Sequence, residues 1–399
     1  MLHNTCIISH KSGDVNSFVN FREFKQTIAK KIGRFVQGVR QNPLTNPTKR
    51  GMMEPSITEV SCMRYPYPKI DLHLHLDGSF LPETAWELAR AQGVPMPAQT
   101  LEDFRHFLVV SADCRSVNDY LQRFELPLQL MQRADNIARV TRELIELLDS
   151  QGLAYAEIRF APQLHTRSGL SQRDAVEAVL AGRQAARVER IHTGILLCAM
   201  CIGPETANEK ENLETVELAA EYLGRGVVGF DLAGAEGIVP LRNFAPVFDR
   251  ARALQLPLTC HAGDSQGPDT VQDALDFGVS RIGHGHHIFD DPALCRRAID
   301  QGVTLEICPT SNIQCQTQPS YREHPAKRLL DMGMKITINT DNMILSGIDL
   351  DHEYDRCLKD MGFAPRDILT MLRNSAECSF APPEVKAELL AALDRCPIV

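Results

Sequence analysis

From residue 69 onward, segments with the apolar pattern of a strand alternate with segments with the apolar spacing of a helix. Short apolar runs predict strands at 69–74, 154–160, 193–201, 226–232, 256–260, 280–283, 303–308 and 335–340. Most intervening segments repeat apolar residues every three or four positions and predict helices, for example 172–190, 209–224, 243–254, 269–277 and 291–300. Alternating strands and helices favour a parallel sheet, and eight such units predict an α/β fold of the (β/α)8 TIM barrel type.

Two parts of the barrel exceed this plain alternation. Residues 81–150 are too long for one crossover helix, so we expect extra helices after strand 1, over the barrel mouth. Further helices are expected at the C-terminus. We assign 69–399 to a single barrel domain and 1–68 to an N-terminal extension and linker. Helices are expected to begin after Ser171 and Pro268 and to stop near Gly152, Gly224 and Gly302.

The N-terminal extension differs in character from the barrel. Residues 1–51 carry nine Lys or Arg and two acidic residues, and their apolar positions between Phe21 and Val39 recur at helical spacing. A basic amphipathic segment is typical of a targeting presequence or a membrane-surface helix. A docked or disordered extension explains it equally well, as does translated upstream sequence with Met52 or Met53 as the working start. We prefer these last interpretations.

The composition indicates a globular protein with an acidic barrel. The chain is 23% charged and 44% hydrophobic, which is ordinary for a globular protein. Its net charge is −9 although the first 51 residues are basic, so the barrel is acidic and a nucleic acid is not expected as partner. No apolar run reaches the ~18 residues of a membrane span, and we predict no secretory signal. The 12 cysteines lack disulfide spacing, which indicates reduced thiols in a cytoplasmic enzyme.

Protonatable residues stand at the ends of several predicted strands. His73 and His75 are two positions apart in the first strand, so both project from one face. Later strand ends carry Asp231, His261 with Asp264, His284, and Asp341 with Asn342. The carboxyl ends of barrel strands meet at one mouth, where TIM barrels place their active sites. We therefore expect these residues to converge.

Three imidazoles and one carboxylate make a zinc site with room for water. The expected ligands are His73, His75, His261 and Asp341. Zinc lowers the pKa of a bound water to about 7. His284 is then free to orient that water or to take its proton, and Asp264 can transfer a proton. The set predicts metal-assisted hydrolysis.

Other catalytic motifs are absent from the sequence. His352-Glu353 lacks the second histidine of HExxH, and the chain has no GxSxG, P-loop, GxGxxG or cytidine-deaminase-type zinc motif. The CxxC formed by Cys198 and Cys201 lies inside a predicted strand. We expect these two thiols to pack in the core.

The motifs together resemble the adenosine deaminases of the amidohydrolase superfamily. The matching pieces occur in the family's order between Lys69 and Tyr354. They are Asp-Leu-His-Leu-His-Leu-Asp-Gly, Glu-Ile-Arg-Phe-Ala-Pro, Asp-Leu-Ala-Gly, His-Ala-Gly, Arg-Ile-Gly-His-Gly, Pro-Thr-Ser-Asn and Ile-Asn-Thr-Asp.

The resemblance implies a role for each matched residue. It gives one zinc per chain on the four ligands above, with His284 assisting the attacking water. It places Asp77 at the ribose hydroxyl and Gly234, through its backbone, at the purine ring. The fourth strand carries no lysine that could be carboxylated to bridge two metals, which agrees with one zinc. Water then attacks C6 of adenosine or 2'-deoxyadenosine, a carboxylic acid protonates N1, ammonia leaves, and inosine or 2'-deoxyinosine is formed.

Two positions depart from the family pattern. Asp264 stands where the family usually has glutamate, and Asn342 where it usually has a second aspartate. An asparagine amide can donate to N7 of the purine, so Asn342 is expected to contact substrate. Asp264 is one methylene shorter than glutamate, and ~1 Å at a reacting centre can cost about 100-fold. Two alternatives to a purine nucleoside deaminase therefore stay open. One is a deaminase of another 6-aminopurine, such as adenine, a modified or phosphorylated adenosine, or aminodeoxyfutalosine; the other is a non-catalytic purine-binding barrel.

Overall fold

The computed structural model describes residues 65–111, 113–203 and 207–396, so our interpretation of residues 1–51 concerns a segment outside the described residues. The strands of the described part are β1 Lys69–His75, β2 Leu153–Phe160, β3 His192–Cys201, β4 Val227–Gly234, β5 His261–Ala262, β6 Arg281–His284, β7 Thr304–Ile307 and β8 Lys335–Ile338. They form two four-stranded sheets with the strand orders β1-β2-β3-β4 and β5-β6-β7-β8. Neighbouring strands in each sheet run parallel.

Single parallel bridges join the two sheets into a closed ring. Phe230 of β4 pairs with Leu258 before β5, and Leu74 of β1 pairs with Asp341 after β8. At the second junction the amide of His75 donates to the carbonyl of Asp341 at 2.7 Å, and the amide of Asp341 donates to the carbonyl of His73 at 2.8 Å. The predicted (β/α)8 barrel is confirmed.

Helices follow each strand on the outside of the ring. Between β1 and β2 lie Pro82–Ala91, Leu101–Leu108, Val117–Leu121, Glu125–Leu130 and Ala134–Ser150. The crossover helices are Gln172–Ala185, Glu209–Tyr222, Ala245–Ala253, Pro268–Asp276, Pro292–Gln301, and the pair Pro309–Gln314 and Ala326–Asp331. After β8 come Met343–Ser346, Leu350–Asp360, Pro365–Cys378 and Pro383–Asp394. Short 3-10 turns occupy Gln122–Phe124, Pro162–His165, Leu241–Phe244 and His286–Asp290.

The extra segment after β1 reaches the mouth of the barrel, as the sequence predicts. The amide of Val110 donates to the carbonyl of Leu345 at 2.7 Å, and the hydroxyls of Tyr120 and Ser346 lie 2.7 Å apart. Leu345 and Ser346 belong to the loop that follows β8 on the carboxyl side. The segment therefore covers part of the ring's carboxyl end.

Local capping explains where several helices begin and end. The Ser171 side chain accepts from the amide of Asp174, and the Asp174 carboxylate accepts from the amide of Ser171, so the helix begins at Gln172. Pro268 is itself the first residue of its helix, one position earlier than predicted. Gly302 ends another helix with φ 70°, a conformation that glycine adopts without strain.

Two predicted elements have different bounds in the structure. The helix predicted at 172–190 ends at Ala185, because Glu146 and Asp149 of the neighbouring helix accept hydrogen bonds from the amides that follow. The strand predicted at 256–260 pairs only at Leu258, and β5 itself is His261–Ala262. Pro257 has no amide hydrogen to donate, but its carbonyl accepts from the amide of Phe230 at 2.9 Å, so the segment still joins β4.

Charged side chains occupy the inside of the ring. Arg281 of β6 pairs with Glu157 of β2, and its Nε lies 2.7 Å from Oε1 of Glu306 on β7. These three side chains are fully buried. Apolar residues face the helices instead: Phe230 packs against Phe248 with ring centroids 5.8 Å apart. The period of two along each strand therefore separates a polar interior from an apolar outer layer.

Among the described residues, no helix combines the length and apolar character needed to cross a membrane.

A buried carboxyl group on the helix Leu350–Asp360 should make stability depend on pH. Glu353 accepts from the amide and hydroxyl of Thr310 at 3.0 and 2.9 Å, and burial raises its pKa to about 8. A raised acid pKa stabilises the fold below the unfolded value and loses that stabilisation as pH rises through the folded value. The melting temperature of Glu353→Gln should therefore rise relative to that of the wild type as pH increases from 5 to 9. Thermal unfolding across this range measures it, with the exposed Glu189→Gln as control. A difference that stays constant with pH would contradict the prediction.

Candidate active site

The four predicted metal ligands converge at the carboxyl ends of β1, β5 and β8. The Nε2 atoms of His75 and His261 lie 3.2 Å apart. Oδ1 of Asp341 lies 3.4 Å from Nε2 of His75 and 3.6 Å from Nε2 of His73. These distances bring three imidazoles and one carboxylate around a single point.

Carboxylates behind the imidazoles set their tautomers. Nδ1 of His73 lies 2.9 Å from Oε2 of Glu306, and Nδ1 of His261 lies 3.1 Å from Oδ2 of Asp231. A carboxylate accepts, so each Nδ1 carries the hydrogen and each Nε2 presents a lone pair to the cluster. Nε2 of His73 is buried and has no hydrogen-bond partner. An orphaned lone pair among other lone pairs fits a bound cation, and this donor set suits zinc.

The electrostatics keep most of these imidazoles neutral. Burial lowers the pKa of His73 and of His75 well below the usual value, and neighbouring positive charges lower both further. Burial also opposes protonation of His261, but the charge and hydrogen bond of Asp231 raise its pKa. Neutral imidazole is the form that binds a metal.

One buried arginine holds both of the supporting carboxylates. Nη1 of Arg159 lies 2.9 Å from Oδ2 of Asp231, and Nη2 lies 2.7 Å from Oε2 of Glu306. Nη2 also donates to the carbonyl of Leu72 at 2.6 Å. Sequence reasoning counted Asp231 among the strand ends but missed Arg159 and Glu306. The available signal was a charged residue inside each otherwise apolar strand.

Two residues of the site have backbone conformations that are rare outside glycine. The φ angles of His284 and Asp341 are 62° and 60°. Such conformations cost about 1–3 kcal/mol each and persist where the surroundings enforce them. The ligand atoms of His284, His73 and Asp341 lie within 4.8 Å of one another. His284 thus lies at the edge of the group of predicted ligands.

The carboxyl of Asp264 lies next to His284 and is held through one oxygen. Its Oδ1 accepts from Nδ2 of Asn312 at 2.8 Å, from Oγ1 of Thr317 at 2.9 Å, and from Nε2 of His286 at 3.1 Å. Burial opposes ionisation, but His284 and these donors hold the pKa of Asp264 well below its usual range. Three donors to one oxygen favour the ionised form of this carboxyl.

Glu236 anchors the loop that carries Asp264. Its carboxylate accepts from the backbone amides of Gly263, Asp264, Ser265 and Gln266 at 2.6 to 3.0 Å, and from the Thr270 hydroxyl. The sequence interpretation did not single out Glu236. The loop is tied at four consecutive amides, so its backbone has little freedom to compensate for the short side chain of Asp264.

The expected substrate residues line the same mouth. Gly234 ends β4 with φ 114°, and a Cβ there would lie 2.6 Å from the carbonyl oxygen of Cys201. It borders a small cavity that His261 also lines. Asp77 is buried after β1, and burial raises its pKa to about 7. Asn342 is buried, and its Oδ1 has no hydrogen-bond partner.

A glycine permits the contact between two of these loops. A Cβ on Gly78 would lie 1.8 Å from Oδ1 of Asn342, so only glycine allows the loop after β1 to approach that side chain. The amides of Ile344 and Leu345 both donate to the carbonyl of Gly78. The loops after β1 and β8 are therefore held together beside the predicted ligands.

The two cysteines of the CxxC sequence pack in the core, as predicted. Cys198 is 1% exposed and Cys201 5%, and both thiols are free.

Comparison with known proteins identifies the family. The family model for adenosine deaminase matches residues 68–396. The chain belongs to the adenosine deaminase family. An adenosine deaminase of Haemophilus ducreyi is 41% identical over 334 residues, which cover 82% of this chain and 96% of that protein. The family resemblance inferred from the sequence motifs is confirmed.

Solved structures of other deaminases and amidohydrolases share the barrel. The N6-mAMP deaminase of Arabidopsis is 28% identical with a TM-score of 0.73, over 83% of this chain and 98% of that one. A Burkholderia ambifaria amidohydrolase with bound Zn is 25% identical with a TM-score of 0.75, over 87% and 95% of the two chains. The adenosine deaminase family is metal-dependent, and in this chain His73, His75 and His261 form a group able to hold a metal ion.

Removing the carboxylate behind His261 should weaken metal binding. In Asp231→Asn the imidazole loses its charged partner, and such losses reduce metal affinity about 10- to 100-fold. Zinc affinity measured by competition with a chelator provides the readout. Glu157→Gln is the matched control, because Glu157 is equally buried and pairs with Arg281. Equal zinc affinity in Asp231→Asn and wild type would show that this carboxylate does not support the ligand.

Proposed function

We propose that this chain catalyses the zinc-dependent hydrolytic deamination of adenosine and 2'-deoxyadenosine to inosine or 2'-deoxyinosine and ammonia. The observation that carries the proposal is the convergence of three imidazole lone pairs and Asp341, with Nε2 of His73 orphaned among them. Kinship with an adenosine deaminase at 41% identity supports the substrate.

One zinc ion is proposed on His73, His75, His261 and Asp341. Bound zinc lowers the pKa of its water to about 7 and so provides a nucleophile at neutral pH. The chain's own residues then orient that water, move one proton and bind the purine.

Asp264 is the proposed proton carrier. The donors around its carboxyl favour the ionised form, so it needs a proton before it can donate one to N1. The attacking water loses a proton as its oxygen bonds to C6, and we assign this proton to Asp264 for delivery to N1. The hydroxyl left on C6 then gives its proton to the amino group, which leaves as ammonia, and C6 becomes the carbonyl carbon of inosine. The short side chain of Asp264 and the loop held by Glu236 fix the position of the carboxyl that transfers the proton.

The substrate contacts are assigned by the same reasoning. Asp77 is proposed to bind the ribose hydroxyl, and the backbone of Gly234 to bind the purine ring. Asn342 is proposed to donate its amide hydrogen to N7, which is an acceptor. Its side chain is buried, with the carbonyl oxygen unpaired among the described residues.

Ammonia release from a panel of 6-aminopurines tests the proposal. The panel contains adenosine, 2'-deoxyadenosine, adenine, AMP and N6-mAMP, and the zinc-loaded protein should have its highest kcat/KM on the two nucleosides. Metal analysis should find one zinc per chain. Preference for N6-mAMP would move the substrate to a nucleotide. No turnover on any compound by zinc-loaded protein would favour a non-catalytic purine-binding barrel.

Asp264→Asn should lose nearly all deamination while it keeps zinc. An amide cannot carry the proton, and positioned proton transfer contributes roughly 10²- to 10⁴-fold. Steady-state kinetics on adenosine and zinc content measure both effects. His287→Gln is the control, since His287 lies in the adjacent turn and its Nδ1 contacts Asp290. Normal turnover by Asp264→Asn would move the proton carrier elsewhere.

A further inference from the structure

A directed chain of hydrogen bonds lies behind His284 and begins at a backbone amide. The amide of Ala326 donates to Nδ1 of His324 at 3.1 Å. Burial lowers the pKa of His324 well below its usual value, so the ring is neutral and its hydrogen is on Nε2. That nitrogen lies 3.1 Å from Oδ1 of Asn312, which must accept.

The second hydrogen bond of this series fixes the orientation of the side-chain amide of Asn312. Because Oδ1 accepts from His324, the other terminal atom is Nδ2, which can only donate. Nδ2 lies 2.8 Å from Oδ1 of Asp264 and 3.2 Å from Nδ1 of His284. Asn312 is fully buried, and His324 and His284 are 3% and 4% exposed. These groups are therefore restricted to partners inside the site.

The third step determines the tautomer of His284. Its Nδ1 faces a donor, so in the neutral ring the hydrogen is on Nε2. A nitrogen that carries hydrogen cannot bind a metal. His284 consequently stays outside the ligand set even though it lies at the edge of the metal cluster.

We propose that Asn312, oriented by His324, is a positioning residue that fixes His284 as a hydrogen-bond donor toward the reacting oxygen. This inference rests on the proposed function and makes it more specific. His284 orients and stabilises the oxygen that attacks C6, while the proton of the attacking water goes to Asp264. The same amide holds Oδ1 of Asp264, so a single side chain orients both groups.

Two variants of His324 separate this role from simple packing. His324→Leu removes the donor to Oδ1 of Asn312, so the side-chain amide of Asn312 can rotate by a half-turn and exchange its oxygen and nitrogen. His324→Gln keeps an N–H at a similar reach. Asn312→Leu is the direct variant: it removes the amide donor, so Nδ1 of His284 can carry the hydrogen and face Oδ1 of Asp264, which lies 3.9 Å away. His165→Gln is the matched control, since His165 is also fully buried but hydrogen-bonds a backbone carbonyl, that of Met131.

Kinetics on adenosine with the zinc-loaded full chain give the first readout. His324→Leu should lower kcat by about 10- to 100-fold, as expected for a misplaced reacting group, with little change in KM or zinc content. His324→Gln should recover most of kcat, and His165→Gln should match the wild type. Wild-type kcat in His324→Leu, or an equal loss in His324→Gln, would overturn the proposal.

Imidazole 15N–1H NMR gives a readout that does not depend on activity. His284 should show the Nε2–H tautomer in the wild type, and the Nδ1–H tautomer should gain population in Asn312→Leu. An Nδ1–H tautomer in the wild type overturns the role of Asn312 even if adenosine is deaminated. A wild type without turnover on any 6-aminopurine instead overturns the proposed function, and the spectrum still decides the tautomer.

Discussion

The ion pairs of Arg159 are the interaction on which the rest of the site depends. This guanidinium joins Asp231 and Glu306, and those two carboxylates in turn hold Nδ1 of His261 and His73. Inside a barrel, a charge without a partner would cost several kcal/mol, so each member of the set requires the others. The imidazoles can offer their lone pairs to one point because their opposite sides are fixed.

The strands and the ring of polar strand ends were predictable from local pattern. Period-2 alternation in β1 located His73 and His75, and barrel topology brought them to His261 and Asp341. The supporting groups were not predictable, because an arginine or glutamate within an apolar strand gives no sign of its partner. Arg159 meets Glu306 across 147 positions of sequence. The early end of the helix at Ala185 depends likewise on Glu146 and Asp149 of another helix.

The short acid at position 264 is embedded in a fixed environment. Glu236 holds its backbone, and Asn312, Thr317 and His286 hold one of its oxygens. A glutamate here would carry its carboxyl one methylene further, so the same hydrogen bonds would require the loop held by Glu236 to shift.

The ring closes between β8 and β1 through Asp341, the same residue whose carboxylate faces the imidazoles. Its amide and carbonyl bond His73 and His75, two further members of the cluster. The seam of the barrel and the ligand cluster are thus one cooperative unit. Free energy gained when the side chains of Asp341, His73 and His75 share a ligand is also free energy that keeps this seam shut. Loss of a shared ligand should therefore weaken the contact between the first and last strands.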